Sequence, residues 1–286
     1  MCKKTVVLTG ASGFLGQHFV QELSSEYKII SVSQKKIKQE NVENIQINFS
    51  EREAFFDLIL QRKPSYIFNF RACFENNTET SFKVNVDFPR KLLNFLSRQK
   101  LSSRVVLIGS AAEYGFNRLK QPLKEEHPLL PTSVYGSTKA MQSLLPSLYK
   151  QEEVDVVYAR LFNLYGSNVN ENLLPGLLSK KIHGILSGKS EKIKLRPLID
   201  IYDFIHVSDA IKMLKLVSEK GKTGEIYNVA SGIPLLVRDF VKKQLKKHNL
   251  DFESVVEEAS EKSSDVGKII YGCTKKINSL NERSYL

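Results

Sequence analysis

The chain has 286 residues, 42% apolar and 26% charged, the make-up of a folded protein long enough to bury one large core, or a core with a smaller lobe. Its 42 basic and 31 acidic side chains give a formal charge of +11, but the lysines are dispersed and no aromatic–basic motif accompanies them. Nucleic acid is therefore not the expected partner, which leaves an anionic small molecule or a lysine-rich solvated surface. Three widely spaced cysteines, Cys2, Cys73 and Cys273, suggest neither a disulfide framework nor a zinc site, and no metal is expected. No apolar run reaches membrane-span length and no leader precedes the first strand-like segment, so the expectation is a cytoplasmic protein with no membrane partner.

In chain order, apolar runs predict strands over 5–9 and 28–32, with an amphipathic helix over 14–26 between them. Ser50 followed by Glu53 has the spacing of a capping box and opens a predicted helix reaching about residue 61. A strand over 65–70, a helix over 82–99, a strand over 104–108, a helix over 134–150 and a strand over 154–158 follow. Pro146 should kink the last of these helices. Beyond residue 166 the alternation weakens: helices are predicted over 172–186, 207–220 and 235–247, with a strand over 225–229. This pattern predicts an α/β fold, a doubly wound parallel sheet of Rossmann type with a smaller C-terminal substrate-binding lobe. Residues 1–166 would form the larger, Rossmann-type domain, with segments returning from about 200–230, and 167–286 mainly the lobe.

The first strand runs into Thr9-Gly10-Ala11-Ser12-Gly13-Phe14-Leu15-Gly16. Gly10 permits a tight turn, Gly13 lets a pyrophosphate approach the backbone at the helix start, and Gly16 allows close helix–sheet packing. Gly10, Ser12, Gly13, Phe14, Leu15 and Gly16 are thus candidate cofactor contacts. The spacing is GxxGxxG. It resembles the extended short-chain dehydrogenase/reductases, the NAD-dependent epimerase/dehydratase family, whose members act mostly on nucleotide-activated sugars. The resemblance extends over about residues 5–280.

An acid after the second strand would hold a ribose 2′-hydroxyl and repel a 2′-phosphate. Ser33-Gln34-Lys35-Lys36 stands there instead, so NADP(H) is favoured with Ser33 and Lys35 as contacts, and NAD(H) remains open. The alternative for Lys35 and Lys36 is a solvated loop.

Tyr135 and Lys139 lie four residues apart, on one face of the helix predicted over 134–150. A nearby ammonium should lower the tyrosine pKa and suit it to proton transfer. The approach Pro128-Leu129-Leu130-Pro131-Thr132-Ser133 resembles the family's, as does Ile108-Gly109-Ser110-Ala111-Ala112-Glu113-Tyr114-Gly115, where Ser110 matches the catalytic Ser/Thr. The resemblance therefore implies Ser110, Tyr135 and Lys139 as catalytic residues, with the last two also on the cofactor. Family 4,6-dehydratases carry an acidic pair where Ala111 and Ala112 stand. Fucose synthases carry Cys and His where Ala112 and Asn168 stand. Neither elimination nor C3/C5 epimerisation is expected.

On the substrate side, Arg160-Leu161-Phe162-Asn163 and Asn172-Leu173-Leu174-Pro175 resemble substrate-binding stretches, which makes Asn163 and Asn172 candidates. Tyr202 and Lys262 stand where the family usually has arginine. Lys262 offers charge without a bidentate grip, and Arg196 or Lys180 could compensate. His206 and Asp209 read as helix-capping and packing residues. The resemblance is strongest to GDP-4-keto-6-deoxy-mannose reductases, which implies an NADPH-dependent reductase acting on the C4 ketone of a nucleotide-diphosphate 4-keto-6-deoxy sugar. An NAD-dependent C4 epimerase is the alternative within the family, and a non-catalytic NADP-binding sensor or scaffold the alternative outside it. The family's catalytic helix often joins homodimers, and Pro146 falls in it.

Overall fold

Short β-branched and aliphatic runs, most of them too apolar to face water on either side, alternate here with amphipathic helices that cover them. The computed structural model describes residues 3–34, 36–40, 42–48, 52–115, 120–259 and 267–282. Its elements begin β1 (Thr5–Thr9), α1 (Phe14–Leu23), β2 (Lys28–Ser33), β3 (Val42–Gln46), α2 (Arg52–Arg62), β4 (Tyr66–Asn69) and α3 (Thr78–Phe82). A π turn (Lys83–Asp87) leads into α4 (Phe88–Gln99), β5 (Arg104–Ser110) and a 3₁₀ turn (Ala111–Glu113). Then come α5 (Val134–Gln142), α6 (Leu145–Lys150), β6 (Val156–Leu161), β7 (Asn163–Tyr165), α7 (Leu174–Leu186), β8 (Ile193–Leu195), β9 (Ile201–His206) and α8 (Val207–Lys220). The chain continues with β10 (Ile226–Val229), β11 (Pro234–Leu236), α9 (Val237–Lys246), α10 (Phe252–Val255), β12 (Val256–Glu258), β13 (Ile269–Ile270) and α11 (Lys275–Glu282).

Seven parallel strands form the large sheet in the order β10-β6-β5-β4-β1-β2-β3. One face is packed by α1, α8 and α11 through Phe19, Val20, Leu214, Ile277 and Leu280. The other is packed by α2, α4 and α6 through Phe55, Leu92, Leu96 and Tyr149. The sheet is thus doubly wound, and strand order reverses between β1 and β4. The crevice at the C-terminal ends of those strands is where such folds bind ligands. The smaller sheet is centred on β9, which pairs with β7, β11 and β13. Its own core joins Leu178, Ile182, Phe204, Phe240 and Leu245, with Phe204 stacked on Phe240 at 3.9 Å.

Several boundaries differ from expectation. The helix predicted over 82–99 starts earlier, at α3, and passes through the π turn, which directs Asn85 into the interior. The helix predicted over 134–150 breaks outright into α5 and α6. Pro146, in the first turn of α6, has no N–H with which to continue the ladder. The helix predicted over 235–247 yields its first two residues to β11. The strands of the small sheet are two to six residues long, and none carried a periodic signal. Ser50 lies outside the described residues, although a helix follows it. Among the described residues no helix is long and apolar enough to cross a membrane, and no His/Cys/Asp/Glu group could hold a metal.

Asp203 of β9 is fully buried and ties three segments together. It accepts from the Ser231 N–H and hydroxyl (both 2.7 Å), the Gly232 N–H (2.8 Å) and the Gly272 N–H (3.2 Å). Replacing it with alanine strands those donors, so Asp203→Ala should lower stability by about 2–4 kcal/mol. Urea unfolding checks this; a loss below about 1 kcal/mol would mean that the three segments are held otherwise.

Candidate active site

Gly10 adopts φ 72°, and a Cβ there would lie 2.9 Å from the Arg71 nitrogen, so the turn after β1 needs glycine both for its conformation and for its closeness to the end of β4. A Cβ on Gly16 would strike the loop's own backbone, at 2.5 Å from the Gly10 oxygen and 2.6 Å from Ala11 Cα. The glycine therefore serves loop-on-helix packing rather than the expected helix–sheet packing. Gly13 differs, since a Cβ there would meet only the Gly10 oxygen, at 3.3 Å. It sits exposed at the start of α1, whose N-terminus no side chain caps. A bare helix start with glycine at its tip, flanked by exposed Ser12 and part-buried Phe14 and Leu15, fits the phosphates of a dinucleotide.

At the other edge of this crevice, Ser33 ends β2 with its side chain buried, and Lys36 is exposed. Lys35 lies outside the described residues, as does Lys262.

Ser110, Tyr135 and Lys139 come together. Ser110 ends β5 and accepts from the Ala112 N–H at 3.2 Å, which leaves its hydroxyl hydrogen for the cleft. Ser133 caps α5 at the Gly136 N–H (3.0 Å). A Cβ on Gly136 would lie 2.6 Å from the Ala112 carbonyl oxygen. The start of α5 is thus pressed onto the turn after Ser110, which puts the Tyr135 phenol within hydrogen-bonding reach of the Ser110 hydroxyl.

The expected lowering of the tyrosine pKa does not occur. Burial pushes the phenol above its usual range, against the opposing Ser110 hydrogen bond. Lys139 does not reach the phenol. Its ammonium stands 6.0 Å from the ring centroid and donates to the Ile108 carbonyl (2.7 Å) and to Gln142 Oε1 (3.2 Å). Tyr135 is therefore protonated at neutral pH and able to donate. Burial pulls Lys139 down to about 8, with the charge of Glu113 opposing. Two ammonium protons are taken, and the third can serve a ligand.

Four polar residues hold this arrangement, and sequence reading had assigned none of them a role. Gln142 donates to the Asn85 carbonyl at 2.7 Å. The Asn85 side chain bonds Thr138 (3.0 Å) and both the N–H and C=O of Cys73 (2.9 Å each). Behind Ser110, Glu113 and Arg160 form an ion pair at 2.7 Å with side chains 0% and 1% exposed. Glu113 also accepts from the Ser110 N–H and the Tyr158 hydroxyl, each at 2.7 Å. The available signals were weak: Gln142 is three residues past Lys139, and Arg160 is the one charge in an otherwise apolar strand.

The substrate-side candidates are more scattered. Asn163 is half-buried and donates to the Asp203 carbonyl at 3.1 Å. Asn172 is exposed, its N–H bonded to Asn170 Oδ1 at 2.8 Å. Lys180 is engaged in an exposed pair with Glu171. Tyr202 donates to Asp200 at 3.0 Å, and the Arg196 charge acts weakly on its phenol. His206 caps α8 at the Ser208 N–H (3.3 Å), as expected, whereas Asp209 is exposed and pairs with Lys212 (3.0 Å) rather than packing or capping. Asn168 takes a left-handed turn at φ 64°.

A doubly wound sheet, a glycine loop and a Ser–Tyr–Lys set at the same crevice define a dinucleotide-binding α/β protein of the short-chain dehydrogenase/reductase type. The model of the NAD dependent epimerase/dehydratase family matches residues 6–230, and the chain belongs to that family. It is 23% identical over 278 residues to a dTDP-D-glucose 4,6-dehydratase of Dictyostelium discoideum, a match covering 83% of this chain and 61% of the relative. It is 22% identical to a dTDP-6-deoxy-L-talose 4-dehydrogenase (NAD(P)(+)) of Kitasatospora kifunensis, covering 62% of this chain and 56% of the relative. The chain thus spans somewhat under two thirds of the length of each of these two relatives. A crystal structure of the dTDP-glucose 4,6-dehydratase of Bacillus anthracis in complex with NAD superposes with a TM-score of 0.84 at 22% identity, covering 98% of this chain and 90% of that one. All three are named for dTDP sugars, not for the GDP sugar that the sequence resemblance led to expect.

If Lys139 holds a ligand through its ammonium, dinucleotide affinity should be flat below about pH 8 and fall above it, approaching tenfold per pH unit. Lys139→Arg, which stays charged, should flatten the profile. Fluorescence titration with NADPH reads both. An identical decline in the variant would assign the pH dependence elsewhere.

Proposed function

We propose that this chain is an NADPH-dependent reductase of the C4 ketone of a nucleoside-diphosphate 4-keto-6-deoxy sugar. The observation that carries the reading is the make-up of the turn after β5. It carries one hydroxyl, Ser110, and two alanines, of which Ala111 is buried, while its single acid, Glu113, is buried against Arg160. No carboxylate stands where an elimination would need one, and a protonated tyrosine stands where a ketone reduction needs a donor. The names of the two relatives supply the substrate class: both act on dTDP-linked sugars, and one is named for redox chemistry at C4 of a 6-deoxy sugar.

When bound, the nicotinamide cofactor supplies the hydride. The loop from Gly10 to Gly16 and the start of α1 hold its diphosphate, and the third proton of Lys139 serves its ribose. Ser110 holds the ketone oxygen, where negative charge develops, and Tyr135 gives that oxygen its proton. Asn163, Asn172 and Arg196, with Lys262, take the sugar diphosphate. The preference for NADP(H) over NAD(H) rests on the absence of an acid after β2 and on Ser33, Lys35 and Lys36 in its place. The proposed partner is a second copy of the chain: Met141, Leu144 and Leu148 leave an exposed apolar row along the broken helix α5–α6.

NADPH oxidation in the presence of 4-keto-6-deoxy nucleotide sugars tests the reading, with NADH the poorer donor. Tyr135→Phe should cut turnover by about 10²–10⁴-fold while leaving NADPH affinity within about twofold. Undiminished turnover in that variant would rule out Tyr135 as the proton donor.

A further inference from the structure

Phe74 is 67% exposed, yet its ring is stacked on that of Tyr135, with centroids 4.5 Å and planes 28° apart. Single exposed apolar side chains are common and usually mean nothing. This one is distinguished by how it is held. Its neighbour Cys73 is clamped through both backbone groups by Asn85, and Asn85 is bonded in turn to Thr138 on α5, the helix of Tyr135 and Lys139. Phe74 is therefore fixed relative to the tyrosine, one face covered by it and most of the rest open to solvent. The ring itself offers no hydrogen bond, and the two residues that follow Ser110 in the chain, Ala111 and Ala112, have apolar side chains.

A ketone whose oxygen reaches Ser110 and Tyr135 must place one of its flanking carbons against this ring. In a 4-keto-6-deoxyhexose those carbons are unlike: C3 carries a hydroxyl, whereas C5 carries the C6 methyl. A hydroxyl pressed on a phenyl ring loses its water without a replacement partner, while a methyl gains by leaving water. We propose that Phe74 is a specificity-determining residue that receives the C5–C6 edge of the sugar, selects 6-deoxy over 6-hydroxy hexoses, and turns the C3 hydroxyl toward the polar side of the site. This rests on the nucleotide-sugar reading above and adds to it the choice of sugar and its orientation.

The test is equilibrium binding, which needs no turnover. Titration calorimetry on the full chain compares dTDP-6-deoxyglucose with dTDP-glucose, alongside the corresponding UDP and GDP pairs, and measures NADPH separately. Wild type should bind the 6-deoxy member of a pair on the order of tenfold more tightly. Phe74→Ala should bring that ratio to about one with NADPH affinity unchanged, and Phe74→Leu, which keeps apolar bulk, should retain most of it. A residue that merely covered Tyr135 would not move this ratio. An undiminished ratio in Phe74→Ala overturns the proposal, as does a parallel loss of NADPH binding, which would place the ring beside the nicotinamide. Wild type that binds NADPH but none of the sugar nucleotides would instead refute the nucleotide-sugar reading, and this inference with it.

Discussion

The buried pair of Glu113 and Arg160 is the contact on which the site's geometry depends. The Glu113 carboxylate takes three donors, from the Ser110 backbone, the Tyr158 hydroxyl and the Arg160 guanidinium. The Tyr158 hydroxyl also lies 2.9 Å from the Lys139 carbonyl, and Arg160 reaches Tyr114, whose hydroxyl bonds Asn228. One carboxylate thereby registers the end of β5, the strand β6, the helix α5 and the edge strand β10. Space is as tight as charge: a Cβ on Gly109 would fall 2.1 Å from the Tyr158 ring, so only glycine can precede Ser110. Isolated buried ions are costly, and deleting one partner of such a pair typically costs about 3–5 kcal/mol. The pair does not act on a substrate. It fixes where Ser110 and Lys139 can be.

A second polar thread runs on the cleft side. The π turn inserts an extra residue into the helix ladder, a distortion that recurs at functional sites, and so aims Asn85 at both the loop after β4 and the helix α5. From there the thread passes through Gln142 to the Lys139 ammonium. The lysine is thus held from behind by neutral groups, and burial rather than a counter-charge sets its pKa. The same burial keeps Tyr135 protonated. Both shifts suit a site that gives up a proton to an oxygen gaining charge, and neither requires the ammonium to touch the phenol.

Much of this was legible in the sequence. The alternation of apolar runs and amphipathic helices specified the doubly wound sheet, since six of its seven strands are largely buried on both faces; the edge strand β3, VENIQ, is only half-buried and gave no apolar run to predict it. The glycine loop, Ser110, Tyr135 and Lys139 carried local spacing, and the break at Pro146 followed from a missing N–H. The small sheet was not legible, because strands such as Asn163–Tyr165 are shorter than any period they could display. Glu113, Arg160 and Asn85 were missed for a different reason. The partners that hold them in the interior lie 47, 47 and 53 residues away, and the local signals, a capping-box spacing from Ser110 to Glu113 and a lone charge in an apolar strand, do not by themselves mark a side chain as buried. The error over Tyr135 has a related origin. Spacing of four residues places two Cβ atoms on one face, but the lysine side chain continues past the ring to the Ile108 carbonyl.

In the proposed reaction these groups serve a net hydride transfer to a C4 ketone, with Tyr135 closing it by proton donation. The most direct measurement follows the label from NADPH carrying deuterium at the transferable position of its nicotinamide, incubated with a nucleoside-diphosphate 4-keto-6-deoxy sugar. A ketone reduction yields a sugar product with one deuterium at C4 and an equal amount of NADP⁺. A product free of deuterium, made without consumption of added cofactor by protein that retains NAD, would contradict it and point to internal redox cycling of an epimerase.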